Sequence, residues 1–259
     1  MVNQSSALSF KGKAALVFGG TAGIGRSVAL AFASAGANVF ISGLGAADGR
    51  EVEAEARNKG VDAAFMEADV TRASEVQAVV SRAAERFGRI HAAVNNAGIE
   101  GRFGPVHELQ EADFDRIIGV NLRGCYLGLK SVGKSITKGG AVVVTASTAG
   151  LMGWSTNVPY TASKHGILGL VRSTAEAFAA RGVRINAICP GMVNTPMFLP
   201  DGNEDQLLPP DDLAMPAFRG VAMAQHIAEL VLFLASNRAA FMTGGIHVID
   251  GGLTSTFPG

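Results

Sequence analysis

A tyrosine and a lysine four residues apart, Tyr160 and Lys164 in the segment PYTASKHG, have types and spacing that could support proton transfer. At positions i and i+4 of a helix, both side chains project from one face. An ammonium group roughly 5 Å from a phenol, at an effective dielectric of about 20, favours ionisation by on the order of 3 kcal/mol. The pair therefore predicts a phenol with a lowered pKa that serves as a general acid and base, with an ordinary exposed helix pair as the alternative.

Two further polar residues occupy positions that suit the same chemistry. Ser147 ends the apolar segment AVVVTAS, thirteen residues before Tyr160. The carboxyl ends of strands are where an open α/β sheet places its reactive groups. Asn121 lies in VNLRG, within the helix predicted to precede that strand. The candidate catalytic residues are therefore Asn121, Ser147, Tyr160 and Lys164.

A glycine-rich turn near the start of the chain is the second feature with a chemical interpretation. The segment FGGTAGIG carries Gly19, Gly23 and Gly25 between a predicted strand and a predicted helix. Glycines there allow a sharp turn and let a pyrophosphate approach main-chain N–H groups at the helix N-terminus. A plain glycine-rich turn is the alternative, and the position directly after the first strand favours dinucleotide binding.

The ends of the next two strands would face the adenosine half of a dinucleotide. An acidic residue after the second strand favours NAD and an arginine favours NADP, but the segment ISGLG offers only Ser42, Gly43 and Leu44. Asp69, at the end of the third strand, has two interpretations. It accepts a hydrogen bond from the adenine amine, or it caps the following helix near Thr71.

Apolar strand segments alternate with helical patterns along the whole chain. Continuous rather than alternating hydrophobicity predicts strands that are buried on both faces of a parallel sheet. The order predicts a single α/β domain over residues 1–259, a doubly wound (Rossmann) seven-stranded parallel sheet with helices on both faces. The predicted strands span 14–20, 38–42, 63–69, 90–98, 141–147, 183–191 and 246–250, and the helices 24–35, 47–58, 73–87, 111–131, 158–180 and 221–236. The long irregular segment 192–220 is predicted to be a substrate lid.

Composition excludes several classes of function. The net charge is zero and the pI is about 7.0, so we expect neither a nucleic-acid partner nor a membrane partner. The two cysteines, Cys125 and Cys189, have no paired spacing, which favours a reduced chain in the cytoplasm. The N-terminus lacks the pattern of a signal peptide. The five histidines are scattered, so no metal site is expected.

Over essentially its whole length, the sequence resembles the short-chain dehydrogenase/reductase family. Several motifs in the family's order and separation carry the resemblance. They are the G-x-x-x-G-I-G turn, Asp69, NNAG at 95–98, Asn121, Ser147, Tyr160-x-x-x-Lys164, Pro190–Gly191 with Thr195, and TGGIHVIDGG at 243–252.

The resemblance implies a role for each matching residue. Tyr160 would exchange a proton with the substrate oxygen, and Ser147 would hydrogen-bond that oxygen. Lys164 would lower the pKa of Tyr160 and hold the nicotinamide ribose, while Asn121 would anchor a water through a local bend of its helix. The implied cofactor-binding residues are Gly19, Thr21, Gly23, Ile24, Gly25, Gly43, Asp69, Val70, Asn95, Ala97, Gly98, Tyr160, Lys164, Pro190, Gly191, Val193 and Thr195. It also implies a homotetramer built on helices 111–131 and 158–180 and on the C-terminal segment.

The substrate is indicated by departures from one branch of the family. ISGLG is similar to the NGFG of the NAD-dependent 3-hydroxybutyrate dehydrogenases, which favours NAD(H) over NADP(H). The histidine, lysine and glutamine of that branch are replaced by Ala149, Asn157 and Glu100, so we expect poor activity on 3-hydroxybutyrate. The five acidic residues and no basic ones in 198–216 would also disfavour anions if this lid segment covers the site. We expect a neutral secondary alcohol or ketone, cyclic or sugar-like.

Met152 and Trp154 lie between the serine and the tyrosine, where they are expected to line the substrate. Packing or a subunit contact is the alternative for Trp154. Two other functions compete with an alcohol dehydrogenase. One is a 3-oxoacyl carrier-protein reductase, and the other is a non-catalytic dinucleotide sensor.

Overall fold

The computed structural model describes residues 8–198 and 221–255, and its main sheet confirms the predicted architecture. The strands, in chain order, are β1 (Ala14–Phe18), β2 (Asn38–Gly43), β3 (Ala63–Glu67), β4 (Ile90–Asn95), β5 (Ile136–Thr145), β6 (Arg184–Pro190), β7 (Val193–Asn194), β8 (Ala222–Met223) and β9 (Ile246–Ile249). Seven of them form a parallel sheet in the order β3-β2-β1-β4-β5-β6-β9. The chain reverses its direction of winding between β1 and β4, which is where open α/β sheets bind ligands.

Helices cover both faces of this sheet. They are α1 (Gly23–Ser34), α2 (Ala46–Asn58), α3 (Ala73–Phe87), α4 (Glu111–Ile117), α5 (Gly124–Ser135), α6 (Val158–Ala179) and α7 (Ala224–Ala235). Buried side chains of α1, α2 and α7 belong to one apolar cluster, and those of α3, α5 and α6 belong to another. Successive residues of β1 alternate between the clusters, with Leu16 in one and Val17 in the other. Burial on both faces explains why the strand reads as a continuous apolar run.

The predicted helix 111–131 differs from the structure in its middle. After α4 the backbone widens into a π-helical segment, Ile118–Arg123, before α5 begins. π-Helical turns often occur at functional sites. Asn121 is fully buried within this segment. The chain therefore contains the local bend that the family resemblance implied at this residue.

The start of β5 was also predicted incorrectly. The strand begins at Ile136 rather than at Ala141, and its pairing with β4 shifts register between Ile90 and Ala92. Gly139 has a φ of 81°, a conformation that glycine adopts without strain, and this glycine lies inside the irregular part of the strand. The Lys-Gly-Gly sequence at 138–140 does not read as a strand, because glycine is depleted in strand interiors.

His91 contributes a pH-sensitive hydrogen bond at the start of β1. The N–H of Ala14 donates to His91 Nδ1 at 3.0 Å, so this nitrogen must be unprotonated. Burial, with smaller effects of Lys13 and Arg89, lowers the pKa of His91 below its ordinary value of 6.5. The unfolded chain therefore binds a proton more readily, and the contribution to stability is lost as the pH falls from about 6.5 through the lowered pKa.

We expect the free energy of unfolding to decrease more between pH 7.5 and pH 5 in the wild-type chain than in a His91→Phe variant. The variant should lose about 1 kcal/mol at pH 7.5, because the Ala14 N–H is left without its partner. Urea denaturation of both proteins at the two pH values measures this difference. Equal pH dependence in both proteins would show that His91 is not the titrating group.

Candidate active site

The reactive residues of the sequence come together at the carboxyl ends of β5 and β4, beside the first turns of α6. Tyr160 and Ser147 are each 8% exposed, and Lys164 is 4% exposed. Lys164 Nζ lies 5.3 Å from the centroid of the Tyr160 ring and donates to the carbonyl of Thr145 at 3.2 Å. The predicted juxtaposition of phenol and ammonium is present, in a site that is largely closed to water.

Burial controls the proton affinities of both groups. It raises the pKa of Tyr160 to about 12, against a hydrogen bond with Ser147 that lowers this pKa, and the negative charge of Glu100 raises it further. Burial also lowers the pKa of Lys164 to about 8. The expectation of a lowered Tyr160 pKa is therefore wrong for this structure, because desolvation of the phenolate is the largest effect on this group. At neutral pH the phenol is protonated and the lysine is mainly charged.

Asn121 holds the loop that follows β4. Its Oδ1 accepts from the N–H of Ile99 at 2.8 Å, and its Nδ2 donates to the carbonyl of Ile99 at 2.9 Å and to Ser163 Oγ at 3.0 Å. Ser163 in turn donates to the carbonyl of Tyr160 at 2.7 Å. Asn121 thus connects the loop after β4 to the first turn of α6. The sequence analysis missed Ser163, which stands one residue before the lysine.

Gly98 leaves room for this arrangement. A Cβ at this position would lie 3.3 Å from Asn121 Oδ1 and 3.6 Å from Lys164 Nζ. The end of the NNAG motif therefore passes close to two of the four candidate catalytic residues. Ala97, the preceding residue, packs under the glycine turn, because a Cβ on Gly19 would lie 2.5 Å from its Cα.

The glycine turn forms a closely packed cradle, in which side chains at Gly19 and Gly25 would clash with the backbone. A Cβ on Gly25 would lie 1.8 Å from the carbonyl oxygen of Gly19, and Gly19 itself has a φ of 71°. The N-cap of α1 is Ala22, whose side chain caps no N–H, and the first turn holds no acidic residue. Uncapped N–H groups at a helix N-terminus bind anions. The turn therefore fits a dinucleotide pyrophosphate.

The opposite side of the cleft is formed after β6. A Cβ on Gly23 would lie 3.3 Å from the Cβ of Thr195, so Thr195 faces the glycine turn directly. Its hydroxyl donates to the carbonyl of Val193 at 3.3 Å. Gly191 packs against Asp250, whose Cα would be 2.9 Å from an added Cβ. Pro190, the last residue of β6, pairs with Ile249 in the sheet.

Two predicted cofactor residues have structural contacts of their own. Asp69 Oδ1 accepts from Thr71 N at 2.9 Å and from Thr71 Oγ1 at 2.8 Å, and the backbone hydrogen bond from Thr71 is the largest cause that lowers its pKa. These bonds close a turn before α3, whose N-cap residue is Arg72 and which has no side-chain cap, so the predicted capping role of Asp69 is wrong. Its contact with adenine stays a prediction. Asn95 is turned toward α5, where its Nδ2 donates to the carbonyl of Cys125 at 3.3 Å. The Asn95 side chain therefore connects β4 to α5.

The neighbour of Asn95 was missed by the sequence analysis. Asn96 Nδ2 donates to the carbonyl of Gly19 at 3.0 Å and so fixes the glycine turn to the end of β4. The doubled asparagine in NNAG was the available signal, since alternate residues of a strand face opposite sides. Of the remaining predicted residues, Val70 packs against Gly124 of α5, Thr21 lies beside Gly43, and Ile24 packs into the cluster under α1.

The predicted substrate-lining residues lie beside the tyrosine. Trp154 is half-buried and packs with Ile99, Ile117, Ala149 and Tyr160, whereas Met152 is 37% exposed. Trp154 therefore packs against the apolar cluster that contains Tyr160. Of the predicted lid 192–220, the described part contains β7, which pairs in parallel with β8, and residues 199–220 lie outside the described part of the chain.

Glu100 is a further residue of this site. Its carbonyl accepts from Asn157 Nδ2 at 3.2 Å, and the preceding residue is held by Asn121. Burial raises the pKa of Glu100, and its charge acts on both Tyr160 and Lys164. A carboxyl group therefore lies within electrostatic range of the catalytic pair. The sequence analysis had noted it only as a replacement for glutamine.

Two negative findings apply to residues 8–198 and 221–255. No group of three or more His, Cys, Asp or Glu side chains is arranged to hold a metal ion there. None of the helices in the same ranges combines the length and the apolarity that crossing a bilayer requires.

Comparisons with known proteins place this architecture among oxidoreductases. Residues 19–254 match the family model described as enoyl-(acyl carrier protein) reductase. Levodione reductase of Leifsonia aquatica is 35% identical, with 96% of each chain covered. The crystal structure of a levodione reductase superposes with a TM-score of 0.87 at 34% identity, covering 96% of this chain and all of that one.

Two other relatives carry names that refer to six-membered rings. Cyclohexanol dehydrogenase of Acinetobacter sp. (strain SE19) is 35% identical, with 95% of this chain and 96% of the relative covered. Cis-4-hydroxycyclohexanecarboxylate dehydrogenase of Sinomonas cyclohexanicum is 36% identical, with 95% of this chain and 98% of the relative covered.

Proposed function

Because the chain belongs to the short-chain dehydrogenase/reductase family and is an oxidoreductase of CH–OH groups, we propose that its substrate is a neutral cyclic secondary alcohol or ketone. The observation that carries the proposal is the buried group formed by Ser147, Tyr160 and Lys164 at the carboxyl edge of the sheet. The similarity to cyclohexanol dehydrogenase supports a ring-shaped substrate.

In the ketone-reducing direction, the Tyr160 phenol donates a proton to the carbonyl oxygen. Its pKa of about 12 keeps it protonated at neutral pH, so the acid form is always available. The Ser147 hydroxyl positions the same oxygen and stabilises the negative charge that develops on it. A bound nicotinamide would supply the hydride in this direction and accept it in the other. Lys164 holds a positive charge beside the phenol and, by family resemblance, the nicotinamide ribose.

The proton lost by Tyr160 is replaced through Lys164. The side-chain amide of Asn121 is occupied by Ile99 and Ser163, so we assign the relay water to a main-chain carbonyl of the segment Ile118–Arg123. A π-helical turn departs from the regular i→i+4 hydrogen-bond ladder, and this irregularity is the basis for placing the water there. Asn121 therefore acts by positioning this segment.

The charges around Tyr160 favour a substrate without negative charge. The carboxylate of Glu100 acts on the phenol and on Lys164, so it offsets the ammonium charge that would otherwise attract an anionic substrate. We expect kcat/KM for 4-methylcyclohexanone to exceed that for 4-oxocyclohexanecarboxylate by at least about tenfold at pH 8, which is ~1.4 kcal/mol. A Glu100→Gln variant should lower this ratio of kcat/KM values toward one, because the substituted amide carries no charge.

The matched pair of ketones differs in charge at one ring position, so the ratio isolates electrostatics from ring binding. An acetoacetyl thioester included in the same assay tests the 3-oxoacyl carrier-protein reductase alternative. Preference of the wild-type chain for the carboxylate or for the thioester would overturn the proposal of a neutral substrate.

We further propose NAD(H) as the cofactor and a cytoplasmic homotetramer as the assembly. The similarity of ISGLG to the ending of β2 in NAD-dependent relatives supports the choice of cofactor. Two exposed aromatic side chains, Phe114 on α4 and Tyr126 on α5, lie within the region that the family uses for subunit contacts and support the choice of assembly.

A further inference from the structure

We propose that Glu67, at the end of β3, supplies the carboxylate that binds the adenosine ribose and excludes a 2′-phosphate. This residue would make the site selective for NAD(H) over NADP(H). The inference rests on the proposed function, because it requires a dinucleotide in the cleft. Its basis is the pairing of Gly43, at the end of β2, with Glu67 on the adjacent strand β3.

The end of β2 has no room for an acidic residue of its own. Gly43 occupies the place where a ribose-binding carboxylate would be expected, directly across from the glycine turn. A Cβ on Gly43 would lie 3.0 Å from Thr21 Cγ2 and 3.2 Å from Thr21 Oγ1. Any longer side chain at this position would have to displace Thr21. A carboxylate that binds the ribose would therefore come from a neighbouring element.

Strand β3, which is adjacent to β2, carries a carboxylate near this position. The parallel register of β2 and β3 pairs Gly43 with Glu67. Glu67 Oε1 accepts from the N–H of Gly45 at 3.2 Å, so the side chain reaches across to the turn that follows β2. The side chain of Glu67 is exposed to solvent. A carboxylate can accept several hydrogen bonds, so ribose hydroxyls can share it with Gly45.

The charge around this turn is negative. Asp48, in the first turn of α2, is close to the same backbone, since its Oδ2 would lie 3.0 Å from a Cβ on Gly45. Arg26 of α1, on the neighbouring helix, is paired with Glu55 and lies 3.8 Å from Glu51. A 2′-phosphate would meet two carboxylates at the turn, and like charges at close range are strongly unfavourable.

The test is a fluorescence titration of NADH and NADPH, which measures binding and does not depend on turnover. We expect the wild-type chain to bind NADH more tightly than NADPH by at least about tenfold, and Glu67→Gln to weaken NADH binding by about tenfold. Glutamine keeps an oxygen for the Gly45 N–H, so thermal unfolding of the variant should match that of the wild type. Glu85→Gln is the matched control, because Glu85 is an exposed carboxylate of α3 paired with Arg82.

The outcomes separate the inference from the proposed function. A wild-type preference for NADH that Glu67→Gln abolishes and Glu85→Gln retains supports the inference. NADH binding with the same NADPH ratio in all three proteins overturns the role of Glu67 and leaves the proposed function standing. Tighter binding of NADPH by the wild type also overturns the inference. Failure of the folded wild type to bind either nucleotide overturns the proposed function as well.

Discussion

Replacement of Tyr160 with Phe should lower kcat for ketone reduction by about 10²–10⁴-fold, the range that general acid catalysis contributes. The phenol is the proton donor, and the hydroxyl is the only group removed. Phenylalanine keeps the ring that packs with Trp154, Ile117 and Ala149, so the fold should be unchanged. The glycine cradle is formed by other elements, so the affinity for NADH, measured by fluorescence, should change little.

Tyr126→Phe is the matched control, since Tyr126 is the other of the two tyrosines and is 47% exposed on α5. It should retain wild-type turnover. A Tyr160→Phe variant that turns over as the wild type does would remove this residue from the chemistry. If the wild type and Tyr160→Phe both bind NADH but neither reduces any ketone tested, the chain would behave as the non-catalytic dinucleotide sensor.

Replacement of Lys164 with Met should abolish most turnover while making the folded chain more stable. Burial lowers the pKa of Lys164 from 10.5 to about 8, which corresponds to a cost of about 3 kcal/mol for holding the charge inside the protein. Methionine has a similar length and no charge to desolvate. The melting temperature at pH 7 should therefore rise by several degrees, although the hydrogen bond to Thr145 is lost.

The pH dependence of the stability follows from proton binding by Lys164. Between pH 8 and 10.5 the unfolded chain holds a proton on Lys164 that the folded chain has released, so stability rises with pH across this window. In Lys164→Met this rise should disappear. Lys130→Met is the control, because Lys130 is an exposed lysine on α5. A large loss of stability in Lys164→Met at pH 7 would show that the lysine is retained for folding rather than for function.

The parallel sheet was predictable from the sequence because strand burial leaves a local signal. Leu16 and Val17 belong to different apolar clusters, and that two-sided burial is visible as an unbroken apolar run. The glycine turn was predictable for the same reason, since a turn that binds phosphate needs glycine at fixed positions. The location of Asn121 came from the family resemblance. The π-helical geometry around it depends on contacts with Ile99 and Ser163, which a local pattern does not contain.

The electrostatics of the site could not be predicted from spacing alone. The spacing of Tyr160 and Lys164 predicts attraction, whereas the depth of burial that reverses the pKa change of Tyr160 arises from Trp154 and other packed residues. The pairing of Gly43 with Glu67 is also a property of strand register, which joins residues far apart in the chain. Asp69 shows the same limit, because its hydrogen bonds with Thr71 in the turn before α3 depend on backbone geometry that the sequence pattern does not contain.

Transfer of deuterium is the most direct test of hydride exchange with a ketone at this site. The wild-type chain would be incubated with cyclohexanone, 4-methylcyclohexanone and NADH carrying deuterium at both C4 positions of the nicotinamide, and the alcohols analysed by mass spectrometry. The account predicts one deuterium at the carbinol carbon of the product and about 10²-fold or more less product with Tyr160→Phe. Alcohol that forms without deuterium, or forms at the same rate with Tyr160→Phe, would contradict it.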